Sequence, residues 1–447
     1  MARLRVRPAA RPLSGSVPVP SDKSIGHRAL IFAALSAGDS LIRGFSYGED
    51  NVATLSAFRA MGVAARDDGQ GVLHVRGVGL AGLRAPAESL DCGNSGTTMR
   101  LMSGVLAAQP FASRLHGDAS LSRRPMGRVV HPLRQRGAVI WGVPKGDDVT
   151  APLELGPLPE GTRLAPLEYT LPVPSAQVKS ALLLSGLFAS GPTVVVEPLV
   201  TRDHTERMMN ALGMPIQTLG PMVSLHPPAD PMAIRPFELE LPGDLSAAAF
   251  PLVAAAVVDG SLVTTRRTGL NPTRAGILDV LRGFGVEFGA VPQGDALGEP
   301  FGEVSVRASA LSAAHVGGEL AARSIDEIPI AAVLAARARG VSQFSDVREL
   351  RVKESDRIAA IVRLLGAFGV AAEEREDGFA VEGRPQGPLS AAEVSSGGDH
   401  RIAMAAAVLA LVADGESRID DVDCIATSFP RFAGTLRALG AEVEVET

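Results

Sequence analysis

The chain has 447 residues, 46% apolar and 21% charged, with a formal net charge of −6. That length exceeds one ordinary core, so two or three domains are expected, with ample material to bury. One Trp and two Tyr leave little for stacking on single-stranded nucleic acid, the acidic balance opposes a general nucleic-acid binder, and no apolar run reaches the ~18 residues of a membrane span.

The first residues, "MARLRVRPAARPLSGS", hold no apolar segment of the secretory type, so a cytoplasmic location is expected. Beyond them two helix patterns interleave. The first is a polar start followed by small apolar residues at helical density, beginning near Ser24, Gly96, Gln177, Ser246, Ile328 and His400. Five of these end in a glycine turn, at Gly38, Gly191, Gly260, Gly340 and Gly415, and the one after Gly96 ends at "AAQP". Apolar residues on nearly all sides predict buried helices.

The second pattern is an apolar helix end, a glycine, then a strand-like run, as in "FRAMGVAA", "LRQRGAVI" and "LRALGAEV". Its glycines are Gly62, Gly137, Gly213, Gly285, Gly369 and Gly440, spaced by 75, 76, 72, 84 and 71 residues. Each stands where a helix ends in the left-handed conformation that glycine accepts. The repeat is longer than a solenoid unit, so six small subdomains of two helices with strands between them are expected.

The polar residues gather at the helix starts. "SDKSIGHRAL" carries Lys23, Ser24 and Arg28; "GNSGTTMR" carries Asn94, Gly96, Thr97 and Arg100; "PSAQVKSALL" carries Ser175, Ala176, Gln177 and Lys179. The loops "RRPMG" and "TRDHTER" add Arg123, Arg124 and Arg202. Later come "SIDEIP" with Asp326 and Glu327, "RVKESDRI" with Lys353, Glu354 and Arg357, and "GDHRIAM" with Asp399, His400 and Arg401. Helix N-termini carry partial positive charge and bare N–H groups, so convergence of these caps would build a polyanion site. Asp326 and Glu354 fit either acid/base work or plain ion pairs with Lys353 or Arg357. No P-loop, H-E-x-x-H, C-x-x-C or G-x-S-x-G motif is present, so neither a nucleotide P-loop nor zinc is expected. Cys92 and Cys424 are too few for a disulfide framework.

Taken in order, "PSDKSIGHRAL", "GNSGTTMR", "RPMGRVVHPLRQRGA", "SAQVKSALLL", "RDHTERMM", "VKESDR", "GDHRIAM" and "CIATSFP" resemble the 5-enolpyruvylshikimate-3-phosphate synthase family of enolpyruvyl transferases. The resemblance runs nearly end to end. It implies an α/β fold of two similar domains, each of three βαβαββ-like repeats with buried parallel helices, an inside-out α/β barrel. Residues 22–235 would form an inserted domain, and 1–21 with 236–447 the other, with the active site in the cleft between them. It also implies transfer of the enolpyruvyl group of phosphoenolpyruvate to the 5-hydroxyl of shikimate 3-phosphate, by addition and elimination, with no metal or organic cofactor, in a monomer.

Position by position, the resemblance assigns Lys23, Ser24, Arg28, Ser175, Ala176, Gln177, Arg202, Asp326 and Lys353 to shikimate 3-phosphate. It assigns Lys23, Asn94, Gly96, Arg124, Gln177, Arg357 and Arg401 to phosphoenolpyruvate. Asp326 would be the base at the 5-hydroxyl, Glu354 the proton donor and acceptor at the methylene carbon, and Lys23 an aid to proton transfer. Thr427 stands where many members carry lysine, so one phosphate contact differs. Gly96 stands where glyphosate-tolerant forms carry alanine, which implies sensitivity to that inhibitor. Two rival readings are a sister transferase acting on UDP-N-acetylglucosamine and a non-catalytic or RNA-processing relative. The first would carry Lys-Asn where Lys23-Ser24 stands, and usually a cysteine in the loop near "SLSRRPMG". A non-catalytic scaffold has no need of so many cations at helix starts, and the low aromatic count and acidic balance oppose RNA.

Overall fold

A computed structural model describes residues 2–446. The apolar helices run Lys23–Leu35, Gly96–Leu106, Ala176–Gly186, Leu245–Val257, Ile328–Arg337 and His400–Ala410, each starting within one residue of the expected polar start. Five have a side-chain cap: Asp22, Ser95, Ser175, Asp244 and Asp399 each accept a hydrogen bond from a first-turn N–H. The second family comprises Glu49–Ala60, Gly127–Gln135, His204–Ala211, Gly276–Gly283, Arg357–Ala367 and Phe432–Ala438. The six repeat glycines that follow these helices all have φ between +74° and +104°, the region only glycine enters without strain. At Gly191 the reason is space: an added Cβ would lie 2.7 Å from Pro166 Cγ.

Among the described residues the strands form six separate four-stranded sheets, and none closes into a barrel. All six share one plan. Two neighbouring strands are parallel, and the other two continue antiparallel. In four sheets an apolar helix makes the crossover between the parallel pair, as parallel strands require. Leu90–Asp91, helix Gly96–Leu106 and Ser113–His116 are one such unit, completed by the hairpin Ile140–Lys145 and Asp148–Leu155.

Three sheets depart from chain order. Ser14–Pro18 pairs with Leu262–Gly269, and Glu238–Glu240 pairs with Asp39–Arg43, so each edge strand joins a sheet far along the chain. Arg3–Val6 lies between Ser417–Asp420 and Val443–Glu446, completing the last repeat with the first strand.

By contacts the chain divides into two units. One holds Ser21–Leu241 with Asp295–Glu299; the other holds Pro242–Gly294 and the remaining segments. Each contains three sheets and three buried helices. In the second unit, Leu245–Val257 and His400–Ala410 are buried along their whole length. Small residues allow the close approach. At Gly104 an added Cβ would lie 2.2 Å from the Ala181 carbonyl oxygen, so helices Gly96–Leu106 and Ala176–Gly186 meet backbone to backbone. No helix among the described residues is long and apolar enough to cross a membrane.

Candidate active site

In the unit built on Ser21–Leu241, hydrogen bonds tie the first two turns of the three buried helices together. Gln177 Nε2 donates to Thr97 Oγ1 at 2.8 Å, and Arg100 Nη1 donates to Gln177 Oε1 at 2.6 Å. Arg28 Nη2 donates to Ser180 Oγ at 2.7 Å, and His27, Thr54 and Thr98 form a chain with both links at 2.8 Å. Burial pushes the His27 imidazole down to about 3, so it is neutral and serves this chain as packing. The helices therefore start at one end of the unit, and their positive dipole ends add.

The expected residues stand around that end. Lys23 opens its helix and pairs with Asp50 at 2.7 Å. Asn94 donates to Asp118 at 2.6 Å and accepts from Arg124 Nη2, so it aims that guanidinium. An added Cβ on Gly96 would lie 2.8 Å from Arg100 Nη1 and 3.3 Å from Arg124 Nη1. Ser175 caps its helix through Val178 N–H at 3.3 Å, placing Ala176 and Gln177 in the first turn. Ser24 follows Lys23, and its carbonyl accepts from Arg28 Nη1 at 2.9 Å.

Arg28 is only 3% exposed, and its Nε also donates to Thr205 Oγ1, at 2.7 Å. Burial lowers its pKa to about 10, against the opposing pull of Glu206, Asp22 and Glu299. Arg202 sits two residues before helix His204–Ala211. The loop before it is anchored by a buried trio: Lys179 Nζ lies 2.6 Å from both Glu197 and Glu206 and donates to the Thr201 carbonyl at 3.4 Å. One buried cation serves two carboxylates there. Burial raises Glu206 despite Lys179, while the two glutamates raise Lys179 despite its own burial.

The second unit gathers the remaining expected residues around Arg357. This guanidinium is 1% exposed; Nε donates to Asp399 at 2.8 Å, Nη2 to Glu354 at 2.5 Å, and Nη1 lies 3.8 Å from Asp326. Burial alone would lower its pKa, but Asp399, Glu354 and Asp326 outweigh it and raise it. Burial likewise pushes Asp399 up, and Arg357 outweighs that and holds it below the usual carboxylate range. Lys353 Nζ lies 3.6 Å from Asp326. Arg401 Nη1 donates to the Asp326 carbonyl at 2.7 Å and to Ser246 Oγ at 2.6 Å. Thr427 Oγ1 donates to its own 3-10 turn, at the Cys424 carbonyl, 2.6 Å away.

Of the carboxylates that hold these residues, Asp399 stood out at the start of "GDHRIAM", while Asp50 and Asp118 were not singled out from sequence. Asp50, Asp118 and Asp399 each hold a site residue 24 to 42 positions away. Asp50 and Asp399 occupy helix starts, as the cations do, and that position was the available signal.

Two α/β units of three repeats, each presenting polar, cation-rich first turns of buried helices, define a scaffold for holding small polyanions. The chain belongs to the family of EPSP synthase (3-phosphoshikimate 1-carboxyvinyltransferase), whose family model matches residues 8–436. A relative from Syntrophotalea carbinolica, named 3-phosphoshikimate 1-carboxyvinyltransferase, is 48% identical over 96% of both chains. Another of that name from Citrifermentans bemidjiense is 46% identical over 98% of this chain and 99% of its own. A solved structure of EPSP synthase from Acinetobacter baumannii superposes with a TM-score of 0.88 at 39% identity, covering 100% of both chains.

Proposed function

We propose that this protein transfers the enolpyruvyl group of phosphoenolpyruvate to the 5-hydroxyl of shikimate 3-phosphate and releases phosphate. The observation that carries the reading is that the two candidate acid/base carboxylates, Glu354 and Asp326, share one buried guanidinium, Arg357, at 2.5 and 3.8 Å. Lys23, Arg124, Arg357 and Arg401 neutralise phosphoenolpyruvate, with Asn94 aiming Arg124 and Gln177 bridging the two substrates. Lys23, Ser24, Arg28, Ser175, Ala176, Gln177, Arg202, Asp326 and Lys353 receive shikimate 3-phosphate.

Asp326 takes the proton of the 5-hydroxyl as its oxygen bonds to C2 of phosphoenolpyruvate. Glu354 gives a proton to C3, forming a tetrahedral intermediate. Glu354 then withdraws a proton from the new methyl group as the C–O bond to phosphate breaks, which restores the double bond. Cations preorganised in a water-poor site stabilise the charge that moves in each step. No metal or organic cofactor enters the scheme. The protein acts as a cytoplasmic monomer, with these two small molecules as its partners. Incubation with both substrates should yield a product whose mass is their sum less phosphoric acid; recovery of unchanged substrates would contradict the assignment.

The sister reading, with a nucleotide sugar as acceptor and a reactive loop cysteine, has little support. Burial pushes the Cys92 thiol up to about 12 and Cys424 up to about 11, so neither is a ready nucleophile. Gly96 offers a sharper check. In Gly96→Ala the new methyl meets the ends of Arg100 and Arg124 and must push them aside. The expected result is a KM for phosphoenolpyruvate raised roughly two- to tenfold, with kcat little changed. Inhibition by glyphosate, expected for the unaltered protein, should weaken by a larger factor. Steady-state kinetics with varied phosphoenolpyruvate and inhibitor measure both.

A further inference from the structure

Glu327 is 0% exposed and adjoins Asp326, yet the reaction scheme makes no use of it. Its Oε2 accepts from Arg274 Nη1 at 2.9 Å, and its Oε1 accepts from the Ser246 hydroxyl. A serine hydroxyl has one hydrogen. Donating it to Glu327 leaves only lone pairs toward Arg401, whose Nη1 donates to that oxygen at 2.6 Å. The other Nη1 hydrogen goes to the Asp326 carbonyl at 2.7 Å. Arg401 also lies 3.8 Å from Glu327 Oε1, so the carboxylate balances its charge as well.

We propose that Glu327 is a positioning residue: through the Ser246 hydroxyl it fixes the orientation of Arg401 toward phosphoenolpyruvate. The inference rests on the proposed function. It draws on three helix starts of one unit, since Ser246, Glu327 and Arg401 belong to the first turns or caps of Leu245–Val257, Ile328–Arg337 and His400–Ala410.

The relay makes a specific prediction for Glu327→Gln, which keeps shape and removes charge. Arg274 has no acceptor capacity to offer and requires one, so the amide oxygen must face it. The amide N–H₂ then faces Ser246, and the serine hydrogen turns toward Arg401. Ser246→Ala removes the same link from its other end.

The test is steady-state kinetics on the unaltered protein, both single variants and the double variant, varying each substrate separately. Each single change should raise KM for phosphoenolpyruvate about tenfold, with kcat and KM for shikimate 3-phosphate held within about twofold. The double variant should be no worse than the worse single one, because both cut one chain. Effects that multiply, or an unchanged KM for phosphoenolpyruvate with only a lowered melting temperature, would overturn the relay. Should Glu327→Gln be insoluble, Ser246→Ala decides alone, and an unchanged KM there overturns it. Absence of turnover in the unaltered protein would instead remove the functional reading beneath it.

Discussion

Glu354→Gln lowers kcat by roughly two to four orders of magnitude, the span for losing a positioned acid/base group. KM for both substrates changes far less, because the amide keeps the shape and one acceptor for Arg357. The physical reason lies in the 2.5 Å contact between Glu354 and Arg357 Nη2. A guanidinium so close favours the ionised carboxylate, which suits proton removal but opposes proton donation. In the proposed reaction the phosphoenolpyruvate anion occupies part of the same guanidinium's field. That lowers the local positive potential and eases protonation of Glu354 once substrate is bound. Rapid-quench and steady-state kinetics should therefore show substrate still bound by the variant and chemistry lost. A variant that turns over at the unaltered rate would remove Glu354 from the mechanism.

Arg357→Met is expected to lose measurable turnover and also to destabilise the protein by about 3–5 kcal/mol, since it strands a buried charge. Asp399 is 0% exposed and takes hydrogen bonds from Arg357 Nε and Ser355 Oγ, at 2.8 and 2.9 Å. Without the guanidinium its ionised form has lost its main support. Adding Asp399→Asn should restore part of the stability without restoring turnover, which separates the two roles.

The pH dependence follows from the sign of the Asp399 shift. Its folded-state pKa is depressed, so the stabilisation it contributes is complete above the unfolded value of about 3.9 and is lost as pH falls through the lower folded value. In Arg357→Met the folded-state value instead rises, so the variant should lose less stability on acidification. Denaturant melts of both proteins across the acid range measure this. Equal acid sensitivity in the two would contradict the pairing.

Much of the helical frame was legible in the sequence, for local reasons. A polar cap, a run of small apolar residues and a glycine at the far end each act within a few residues. That is why the six buried helix starts could be placed to within one position. The strand order was less legible. Arg3–Val6 completes the last sheet by pairing with Ser417–Asp420 and Val443–Glu446, and nothing local in "RLRV" names partners so far along the chain.

The site divides along the same line. Cations at helix starts stood out because they repeat. The pairing of a cation with a distant acid did not, since Asp399, itself at a helix start, meets Arg357 across 42 positions through packing alone. "SIDEIP" shows two adjacent acids, but only the fold reveals that Glu327 is buried against Ser246 and Arg274 while Asp326 faces Lys353 and Arg357. The physical role of "GNSGTTMR" also needed the fold. Asn94 aims Arg124, and Arg100 holds Gln177, so the stretch arranges cations as much as it offers backbone N–H groups.

The central claim is that these residues join phosphoenolpyruvate to shikimate 3-phosphate. The most direct measurement is phosphate release from phosphoenolpyruvate by the purified protein, with shikimate 3-phosphate or UDP-N-acetylglucosamine as the second substrate. The account predicts release with shikimate 3-phosphate alone, abolished in Glu354→Ala. Release only with the nucleotide sugar, or with neither, would contradict it.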